Sequence, residues 1–405
     1  MNSTSSPRRI LYCENNTDGT IGGSHYCLLN LVERLDTRRY APVTMFYQEH
    51  ALIPKFSAVS EVVVRPPHAP WKVSTAMTGA LGRLLKLPLL LVRRSVNFWK
   101  LMALVREEAR WLREQRIALV HLNNAVTRHH DWMLAAMMSG IPCVSHERGM
   151  NEPYTAVDRF LARRLALIVP MARWMRDEMV ARGVPPDNIR VMYDGLDPSR
   201  LVVTREASAM RQEWNVGPEQ PVIGIVGNIR AWKGQEVVVR AMSDIVKHRP
   251  NVVCFFVGAS TPGDQPYVDK LNALVRDFGL EANVRFTGYQ NRVPDFVNMM
   301  SVVIHASVEP EPFGMVVLEA MALRKPVVGS AAGGVIEMVV EGVTGYTFPP
   351  GDPRVLAARV LELIAAPEKA CAMGEAGYRR VVQDFPLDRY VSDIQEAYDR
   401  ILDPK

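Results

Sequence analysis

Short apolar runs alternate with amphipathic stretches along most of the chain. Apolar runs that end in polar or glycine residues predict strands in the first half over residues 9–16, 42–47, 61–64, 117–124, 142–148, 165–169 and 189–194. Runs of the same kind predict strands in the second half over residues 221–229, 252–258, 284–288, 302–306, 326–329 and 346–348. Helical periodicity predicts helices between them, among them residues 25–35, a helix that ends near residue 248, and residues 388–402.

This alternation predicts parallel sheets covered by helices, in two successive series. Residues 198–220 lack strand character and separate the two series. We therefore expect an α/β protein with two doubly wound, Rossmann-like domains that face a central cleft. The N-terminal domain is predicted at residues 1–198 and the C-terminal domain at residues 199–385. A C-terminal helix within residues 386–405 can pack on either domain, including back on the N-terminal domain.

Length and composition agree with two domains of a globular protein. The chain has 405 residues, of which 48% are hydrophobic and 22% are charged, and its net charge is +5. Its five cysteines lie far apart and form no C-x-x-C pair, which argues against disulfides or a zinc site and favours a reducing compartment. Residues 1–9 lack an apolar signal core, and no apolar run approaches the roughly 18 residues of a membrane helix. These features predict a cytoplasmic location.

The stretch from Glu309 to Glu319 holds two candidate ligand-binding carboxylates. Pro312 favours an extended loop and Gly314 lets the backbone approach a ligand, so a helix is predicted to begin near Gly314. The free N–H groups and the positive dipole end of such a helix favour anionic or hydroxyl-rich ligands. Glu311 on the loop and Glu319 on the helix can accept hydrogen bonds from hydroxyls of a sugar or a ribose. The alternative is a solvated helix cap.

A glycine-rich turn follows the first predicted strand. Gly22, Gly23 and Ser24 lie between that strand and an amphipathic helix, a layout that brings backbone amides close to a phosphate or a sugar. The G-x-G-x-x-G spacing of dinucleotide-binding proteins is missing, so dinucleotide binding is not indicated. An ordinary strand-to-helix turn is the alternative.

Polar residues cluster where two strands of the first half end. Parallel sheets place their functional sites at the carboxyl ends of the strands. The candidates at these ends are His121, Asn123, Asn124, His146, Glu147 and Arg148. His146 is the strongest candidate because charged residues and a glycine follow it where the strand should open into a loop. We interpret His121 as a structural histidine.

The segment of residues 65–106 is basic and rich in large apolar residues. Residues 62–106 contain no Asp or Glu, whereas residues 65–106 contain eight Lys or Arg residues together with Trp71, Phe98, Trp99 and many leucines. On a helix, this mixture favours attraction to an anionic membrane surface. The alternatives are a surface helix pair packed on its own domain and a nucleic-acid patch, which no recognition motif accompanies.

The second half resembles the family 4 glycosyltransferases, which are retaining enzymes with the GT-B fold. The matching residues there are Gly227, Lys233, Gly234, residues 284–288, Ser307, residues 311–322, residues 325–328, Gly333, Gly334, Glu337 and residues 342–345. In the first half, the matches are Gly22 and Gly23 with the family's glycine loop, His146 with its active-site histidine, and residues 194–197 with its turn before the hinge. The pair of Glu311 and Glu319, in this order and with these companions, carries the resemblance.

The resemblance implies a nucleotide-diphosphate sugar donor, of the UDP or GDP type, bound mainly by the second domain. Glu319 would hold the ribose hydroxyls and Glu311 a hydroxyl of the donor sugar. Lys233 would neutralise the diphosphate, and His146 would position the donor sugar at the reaction centre. The further donor-binding residues are Gly22 and Gly23 in the glycine loop, Gly288 and Tyr289 at the base, and Phe313, Gly314, Met315 and Val316 through their backbone at sugar and phosphate.

One position departs from the family pattern. The family commonly has an arginine directly after the glycine that matches Gly227, and here that residue is Asn228. Arg230 lies two residues further on and is the candidate for that role. The chain has no Asp-x-Asp motif, in line with a family that generally needs no divalent ion. The reaction implied is front-face attack with retention, in which Lys233 and helix-start amides stabilise the departing diphosphate.

These features predict a retaining, metal-independent hexosyltransferase without a cofactor. Its expected acceptor is a glycan or a lipid-linked sugar in cell-envelope or surface-polysaccharide synthesis. Its expected location is the cytoplasm, peripheral on the inner face of the cytoplasmic membrane, with no nucleic-acid partner. Three alternatives stay open: a sugar-nucleotide epimerase or hydrolase of the same fold, a catalytically silent membrane-bound partner, and a nicotinamide-dependent oxidoreductase.

Overall fold

The computed structural model describes residues 6–15, 21–66, 80–150 and 152–404, with residues 80–94 described by their backbone. Residue contacts divide the chain into two compact units. The first unit holds the described residues up to Pro170, together with Arg176–Met192 and the residues from Val391 onward. The second unit holds Met171–Met175 and Tyr193–Tyr390.

The first unit is built on a parallel sheet of six strands in the order β3-β2-β1-β4-β5-β6. The strands are β1 (Arg8–Glu14), β2 (Tyr40–Phe46), β3 (Glu61–Val64), β4 (Ile117–Leu122), β5 (Cys143–Glu147) and β6 (Leu167–Pro170). The helices are α1 (Gly23–Glu33), α2 (Ile53–Ser57), α3 (Ala80–Glu114), α4 (His130–Ser139) and α5 (Ala156–Ala162). Helix α6 (Arg173–Ala181) begins in the second unit and continues in this one from Arg176. The central strand β1 is fully buried from Ile10 to Cys13, and burial of both faces explains its continuous apolar run.

The second unit repeats this plan with the strand order β12-β11-β10-β7-β8-β9, again all parallel. The strands are β7 (Val222–Val226), β8 (Val253–Val257), β9 (Val284–Gly288), β10 (Val302–His305), β11 (Val327–Ser330) and β12 (Gly345–Phe348). The helices are α7 (Ala207–Glu213), α8 (Gln235–His248), α9 (Gln265–Asp277), α10 (Val293–Met299), α11 (Met315–Ala322), α12 (Val335–Met338), α13 (Pro353–Ala365) and α14 (Pro367–Asp384). The last helix, α15 (Leu387–Leu402), begins in this unit and continues in the first. The two sheets confirm the prediction of two doubly wound α/β domains.

The predicted strand over residues 189–194 is wrong. Only an isolated bridge joins Ile189 to Ile168 in β6, although the Arg190 N–H still donates to the Ile168 carbonyl at 2.9 Å. The next bond of a parallel ladder needs an N–H at position 170, and Pro170 has none. All other predicted strands lie within a few residues of the observed ones.

The last helix, α15, contributes its C-terminal part to the first unit. Its buried Tyr398 hydroxyl lies 2.5 Å from Nδ1 of His121 in β4 and donates to the Tyr12 hydroxyl in β1 at 3.2 Å. The backbone N–H of Asp36 donates to the Gln395 side chain at 2.8 Å. The end of the chain is therefore bonded to the two central strands of the first sheet.

The basic segment is described in part. Its residues 67–79 lie outside the described residues, as do residues 16–20 before the glycine-rich turn. From Ala80 the segment forms the first part of α3, a helix of 35 residues. In the part of the chain that the structure describes, no helix is both long and apolar enough to cross a membrane.

Candidate active site

The principal candidate site lies where β10 ends and α11 begins. Residues 306–314, called the 306–314 loop below, connect the two elements. Gly314 caps α11 with φ of +95°, a left-handed conformation that glycine adopts without strain. The prediction of a helix that begins near Gly314 is confirmed. The first N–H groups of α11, including those of Met315 and Val316, have no acceptor within the helix and can face a ligand.

Glu311 is held by three side chains. Its Oε1 accepts a hydrogen bond from Lys233 Nζ at 2.7 Å, and its Oε2 accepts from His305 Nε2 at 2.7 Å and from Ser307 Oγ at 2.8 Å. The side chain is only 12% exposed. Burial by itself would raise the pKa of Glu311, but the nearby His305 and Lys233 outweigh it and lower the pKa below its ordinary value. The carboxylate is therefore ionised and aimed in a fixed direction.

Lys233 reaches Glu311 from a short 3-10 turn, Ala231–Lys233, that follows β7. Its ammonium also lies 4.2 Å from the centre of the Trp232 ring. The turn ends at Gly234, whose φ is +70°. A Cβ at this position would lie 1.9 Å from the Ala306 carbonyl oxygen, so only glycine lets the turn approach the 306–314 loop this closely.

Arg230 and Asn228 flank the same turn. The Arg230 Nε lies 3.8 Å from a carboxylate oxygen of Asp264, and the Arg230 side chain is 40% exposed. The Asn228 carbonyl accepts a hydrogen bond from Gln235 at 3.0 Å. Arg230 therefore lies on the same short turn as Lys233 but makes no bond to Glu311.

Glu319 lies in the second turn of α11 and differs from Glu311 in its surroundings. No described residue donates a hydrogen bond to its carboxylate. Burial raises the pKa of Glu319 above its ordinary value. A half-buried carboxylate without a donor is unusual, because such groups are normally hydrogen-bonded. Phe313, the residue before Gly314, is buried and places only its backbone at the helix start.

Gly288 and Tyr289 lie at the carboxyl end of the edge strand β9. Gly288 has a φ of +67°, and the space where its Cβ would be is open. The Tyr289 side chain is 76% exposed. An aromatic ring in this position is available to stack on a planar ligand.

In the first unit, His146 lies in the fully buried part of β5. Its ring centre is 5.6 Å from that of His121 in β4. Burial, with a smaller effect of Arg148, lowers the pKa of His146 well below its ordinary value, so the imidazole is neutral. Gly22 and Gly23 begin α1, and both have open space where a side chain would be.

A buried polar network at the same edge of the first sheet was not anticipated as a unit. Glu14, at the end of β1, accepts hydrogen bonds from Asn123, from Asn124 at 2.8 Å and from Ser24 at 3.2 Å. Arg148 donates to Asn123 at 2.8 Å. Glu14 is a charged residue at the end of an apolar strand, which is a signal for a functional residue. The prediction treated it only as part of the strand over residues 9–16.

Sequence reasoning also missed His305, a buried histidine inside an apolar run. Its bond to Glu311 makes it part of the site. The structure brings Lys233, Glu311 and His305 together, whereas the predicted roles gave Lys233 to a diphosphate and Glu311 to a sugar. Within the described part of the chain, no group of three or more His, Cys, Asp or Glu side chains is arranged to hold a metal ion.

Two doubly wound units, the second with Glu311 beside the start of α11, are typical of GT-B glycosyltransferases. Two family models match the chain without overlap. Residues 21–200 match "Glycosyltransferase Family 4", and residues 206–380 match "Glycosyl transferases group 1". The chain belongs to the family 4 glycosyltransferases.

Similar proteins agree with this membership. N-acetyl-alpha-D-glucosaminyl L-malate synthase of Bacillus anthracis is 25% identical over 74% of this chain and 79% of the relative. The lipopolysaccharide core biosynthesis mannosyltransferase LpcC of Rhizobium leguminosarum is 32% identical over 46% of this chain and 52% of the relative, so that match spans about half of each. The crystal structure of Anabaena HepE in complex with UDP shares the fold, with a TM-score of 0.79 and 23% identity over 97% of this chain and 99% of that one.

Proposed function

We propose that this glycosyltransferase is a retaining hexosyltransferase that uses a nucleotide-diphosphate sugar of the UDP or GDP type. The observation that supports the proposal most is the site in the second unit. There Lys233, His305 and Ser307 fix Glu311 beside the start of α11, and the Glu319 carboxylate accepts no hydrogen bond from the described residues. This arrangement offers two carboxylates for hydroxyl groups and a cation with helix-start amides for phosphates.

In this proposal, binding of the nucleotide sugar breaks the ion pair between Lys233 and Glu311. Lys233 turns from Glu311 Oε1 to the diphosphate, and a hydroxyl of the donor sugar takes its place on Oε1. His305 and Ser307 stay on Oε2 and keep the carboxylate aligned. Glu319 takes the ribose hydroxyls, and Tyr289 and Gly288 receive the base. Arg230 adds positive charge near the phosphates in place of the family arginine at the Asn228 position.

The chemical step follows from this placement. The bond from sugar C1 to the phosphate oxygen breaks while the acceptor oxygen bonds to C1 from the same face, so the configuration is retained. The acceptor proton passes to the departing phosphate oxygen. Lys233 and the α11 amides stabilise the charge that develops on the diphosphate. The neutral imidazole of His146 is fully buried in β5, so its proposed part in positioning the donor sugar is indirect and adds no charge.

A lipid-linked or glycan acceptor in the cell envelope is the proposed second substrate. LpcC, by its name, acts in lipopolysaccharide core synthesis, which supports an envelope acceptor. The exposed Phe98 and Trp99 on α3 lie beside the exposed Lys100 and support contact with an anionic membrane surface. The name of the Bacillus relative instead points to a small acid, L-malate, as the competing acceptor class.

The experiment that tests the function is incubation of the purified chain with panels of UDP- and GDP-sugars, with and without lipid-linked sugars or L-malate. Transfer with retained anomeric configuration is expected, and it should persist in excess EDTA. Lys233→Ala should lower kcat more than donor affinity, because charge builds on the diphosphate in the transition state. Donor consumption without an acceptor would favour a hydrolase or epimerase, and failure to bind any nucleotide sugar would favour a silent partner.

Membrane contact is tested by sedimentation with anionic and neutral liposomes at low and high salt. We expect binding to anionic vesicles that salt weakens, with about 1 kcal/mol from each well-placed cation. Replacing Arg83, Lys86, Arg93 and Arg94 by Glu should release the protein while donor binding persists. A matched variant, Phe98→Ser with Trp99→Ser, removes the apolar part alone. If the wild-type protein does not sediment with anionic vesicles at low salt, a soluble acceptor becomes the better assignment.

A further inference from the structure

Glu337, in the short helix α12, bonds to two separate segments of the chain. Its carboxylate accepts hydrogen bonds from the backbone N–H of Arg173 at 3.1 Å, the backbone N–H of Trp174 at 3.0 Å and the hydroxyl of Tyr193 at 2.7 Å. Arg173 and Trp174 open α6, and the residues between the two segments, 176–192, group with the first unit. Glu337 therefore joins the chain where it leaves the second unit to the chain where it returns.

The two segments that Glu337 joins both contact the 306–314 loop. The indole N–H of Trp174 donates to the Pro312 carbonyl at 3.1 Å. The Tyr193 ring stacks on the Phe313 ring, with a centroid distance of 6.0 Å and an angle of 27° between the planes. Pro312 and Phe313 directly follow Glu311, so these contacts fix the backbone that carries the candidate catalytic carboxylate.

The residues just before α12 hold the same loop from another side. The Gly334 N–H donates to the Glu311 carbonyl at 2.9 Å. A Cβ at Gly333 would lie 2.1 Å from that carbonyl oxygen, so the approach is as close as the backbone allows. The segment that carries Glu337 thus contacts the 306–314 loop directly. Glu337 also binds Trp174 and Tyr193, which contact the same loop.

The hydrogen bonds at Glu337 are of a strong kind. A carboxylate that accepts from backbone N–H groups at a helix start gains from both charge and helix dipole. Burial, and then the bond to Glu337, raises the pKa of Tyr193 to about 12, so the phenol stays protonated and donates. The two backbone N–H groups and the phenol therefore all donate to the Glu337 carboxylate. Glu337 is not among the residues proposed to contact the nucleotide sugar.

We infer that Glu337 is a positioning residue of the donor site, which fixes Trp174 and Tyr193 and through them the backbone of Pro312 and Phe313. The inference rests on the proposed function for its catalytic consequence. With Glu337 in place, the Glu311 carboxylate and the first turn of α11 are held ready for the donor. Small displacements of a positioned group cost large factors in rate, so the loss should exceed what stability alone explains.

The test uses the full-length protein with Glu337→Gln, Trp174→Phe and Tyr193→Phe. Glu337→Gln keeps one acceptor oxygen of the two, Trp174→Phe removes the indole N–H together with part of the bicyclic ring, and Tyr193→Phe removes only the hydroxyl. The matched control is Glu341→Gln, because Glu341 also accepts from a backbone N–H and a hydroxyl, both of Thr347, in the same unit without touching the 306–314 loop. The measurements are Tm, kcat, donor KM, and hydrogen exchange of the amides in residues 311–317.

We expect Glu337→Gln to lower kcat/KM ten- to a hundredfold and to speed exchange in residues 311–317, at a Tm close to that of Glu341→Gln. Trp174→Phe and Tyr193→Phe should each show part of both effects. Equal changes in exchange and kcat/KM for Glu337→Gln and Glu341→Gln would overturn the inference and leave a purely structural role. Because exchange needs no substrate, a wild type that binds no nucleotide sugar would overturn the proposed function while exchange still decides the position of the loop.

Discussion

At the scale of single residues, the surroundings of the two glutamates in the candidate site shift their pKa values in opposite directions. Glu311 accepts three hydrogen bonds, and the nearby His305 and Lys233 lower its pKa, whereas burial without a hydrogen-bond donor raises the pKa of Glu319. A protein gains nothing in stability from an ionised carboxylate that lacks a donor. This is consistent with our proposal that hydroxyl groups of the bound ribose donate hydrogen bonds to Glu319.

This difference gives a prediction for Glu319→Gln. Because the folded-state pKa of Glu319 is raised, its contribution to stability is full below the ordinary pKa of 4.5 and is lost as the pH rises. At neutral pH the glutamine variant should therefore melt at or above the wild-type Tm. Its donor affinity should fall about ten- to a hundredfold, from the loss of about 1.5–3 kcal/mol in a charged hydrogen bond.

Calorimetric titration with the donor and thermal melting measure the two effects together. Glu309→Gln, which changes an exposed carboxylate on the same loop, controls for overall charge. Wild-type donor affinity in Glu319→Gln would mean that the carboxylate does not touch the donor.

A second residue-scale prediction concerns Glu108 on α3, which is 4% exposed. Burial first, and then the nearby Asp131, raise its pKa to about 9 against the opposing effect of Arg65. Between pH 4.5 and about 9 the folded state keeps this proton and the unfolded state releases it, so rising pH favours unfolding. Glu108→Gln should match the wild-type stability near pH 5 and exceed it by at least about 1 kcal/mol at pH 8.

Urea unfolding at several pH values measures this effect. Glu107→Gln is the matched control, since Glu107 is the exposed neighbour on the same helix. If the stability difference between Glu108→Gln and wild type is constant from pH 5 to pH 8, Glu108 is already ionised in the folded protein.

At the scale of elements, the sequence predicted the positions of the strands, but it did not predict the contacts between residues far apart in the chain. Apolar runs predicted the strands because parallel strands buried on both faces lose their polar alternation. The error at residues 189–194 arose from Pro170 on a neighbouring strand, which no local pattern reveals. In the same way, Glu311 and Glu319 were recognisable from spacing, but the bond from Lys233 joins residues 78 positions apart. His305 was hidden because one histidine inside an apolar run is typical of a core residue.

The turn that presents Lys233 gives an element-scale prediction. Gly234 has a positive φ, and an added Cβ would meet the Ala306 carbonyl at 1.9 Å. Gly279 has a similar φ of +62° but open space around the position of a Cβ. Gly279→Ala should therefore lower the free energy of unfolding only by the strain of a left-handed alanine, about 1–2 kcal/mol. Gly234→Ala should cost more and should also lower kcat/KM at least tenfold, because the turn must move away from the 306–314 loop and take Lys233 with it.

Chemical denaturation and steady-state kinetics on the two variants separate the contributions. The comparison is informative because both variants carry the same backbone strain. Equal losses of stability, with full activity in Gly234→Ala, would show that the close approach of turn and loop does not set the position of Lys233.

At the scale of the whole chain, the first unit is completed by residues from the other end of the sequence. Tyr398 is fully buried and bonds to His121 and Tyr12, and the His121 ring lies beside that of His146. Asp403, the residue after this helix, pairs with Arg8 at 2.6 Å, but this pair is exposed. Sequence reasoning left the packing of this helix open because its apolar stripe does not name a partner sheet.

Tyr398→Phe should therefore lower the free energy of unfolding of the first unit by about 1–3 kcal/mol, since it leaves a buried imidazole nitrogen without its partner. Asp403→Asn, which removes an exposed ion pair, should cost under about 1 kcal/mol. Hydrogen exchange in β1 and β4, against β7 and β10 as internal reference, measures the effect where it arises. We also expect kcat to fall several-fold at unchanged donor affinity, because the His121 ring lies beside that of His146, whereas the proposed donor-binding residues lie in the second unit. If Tyr398→Phe and Asp403→Asn change exchange in β1 and β4 equally, the buried bond is not what fastens the C-terminal helix to the first sheet.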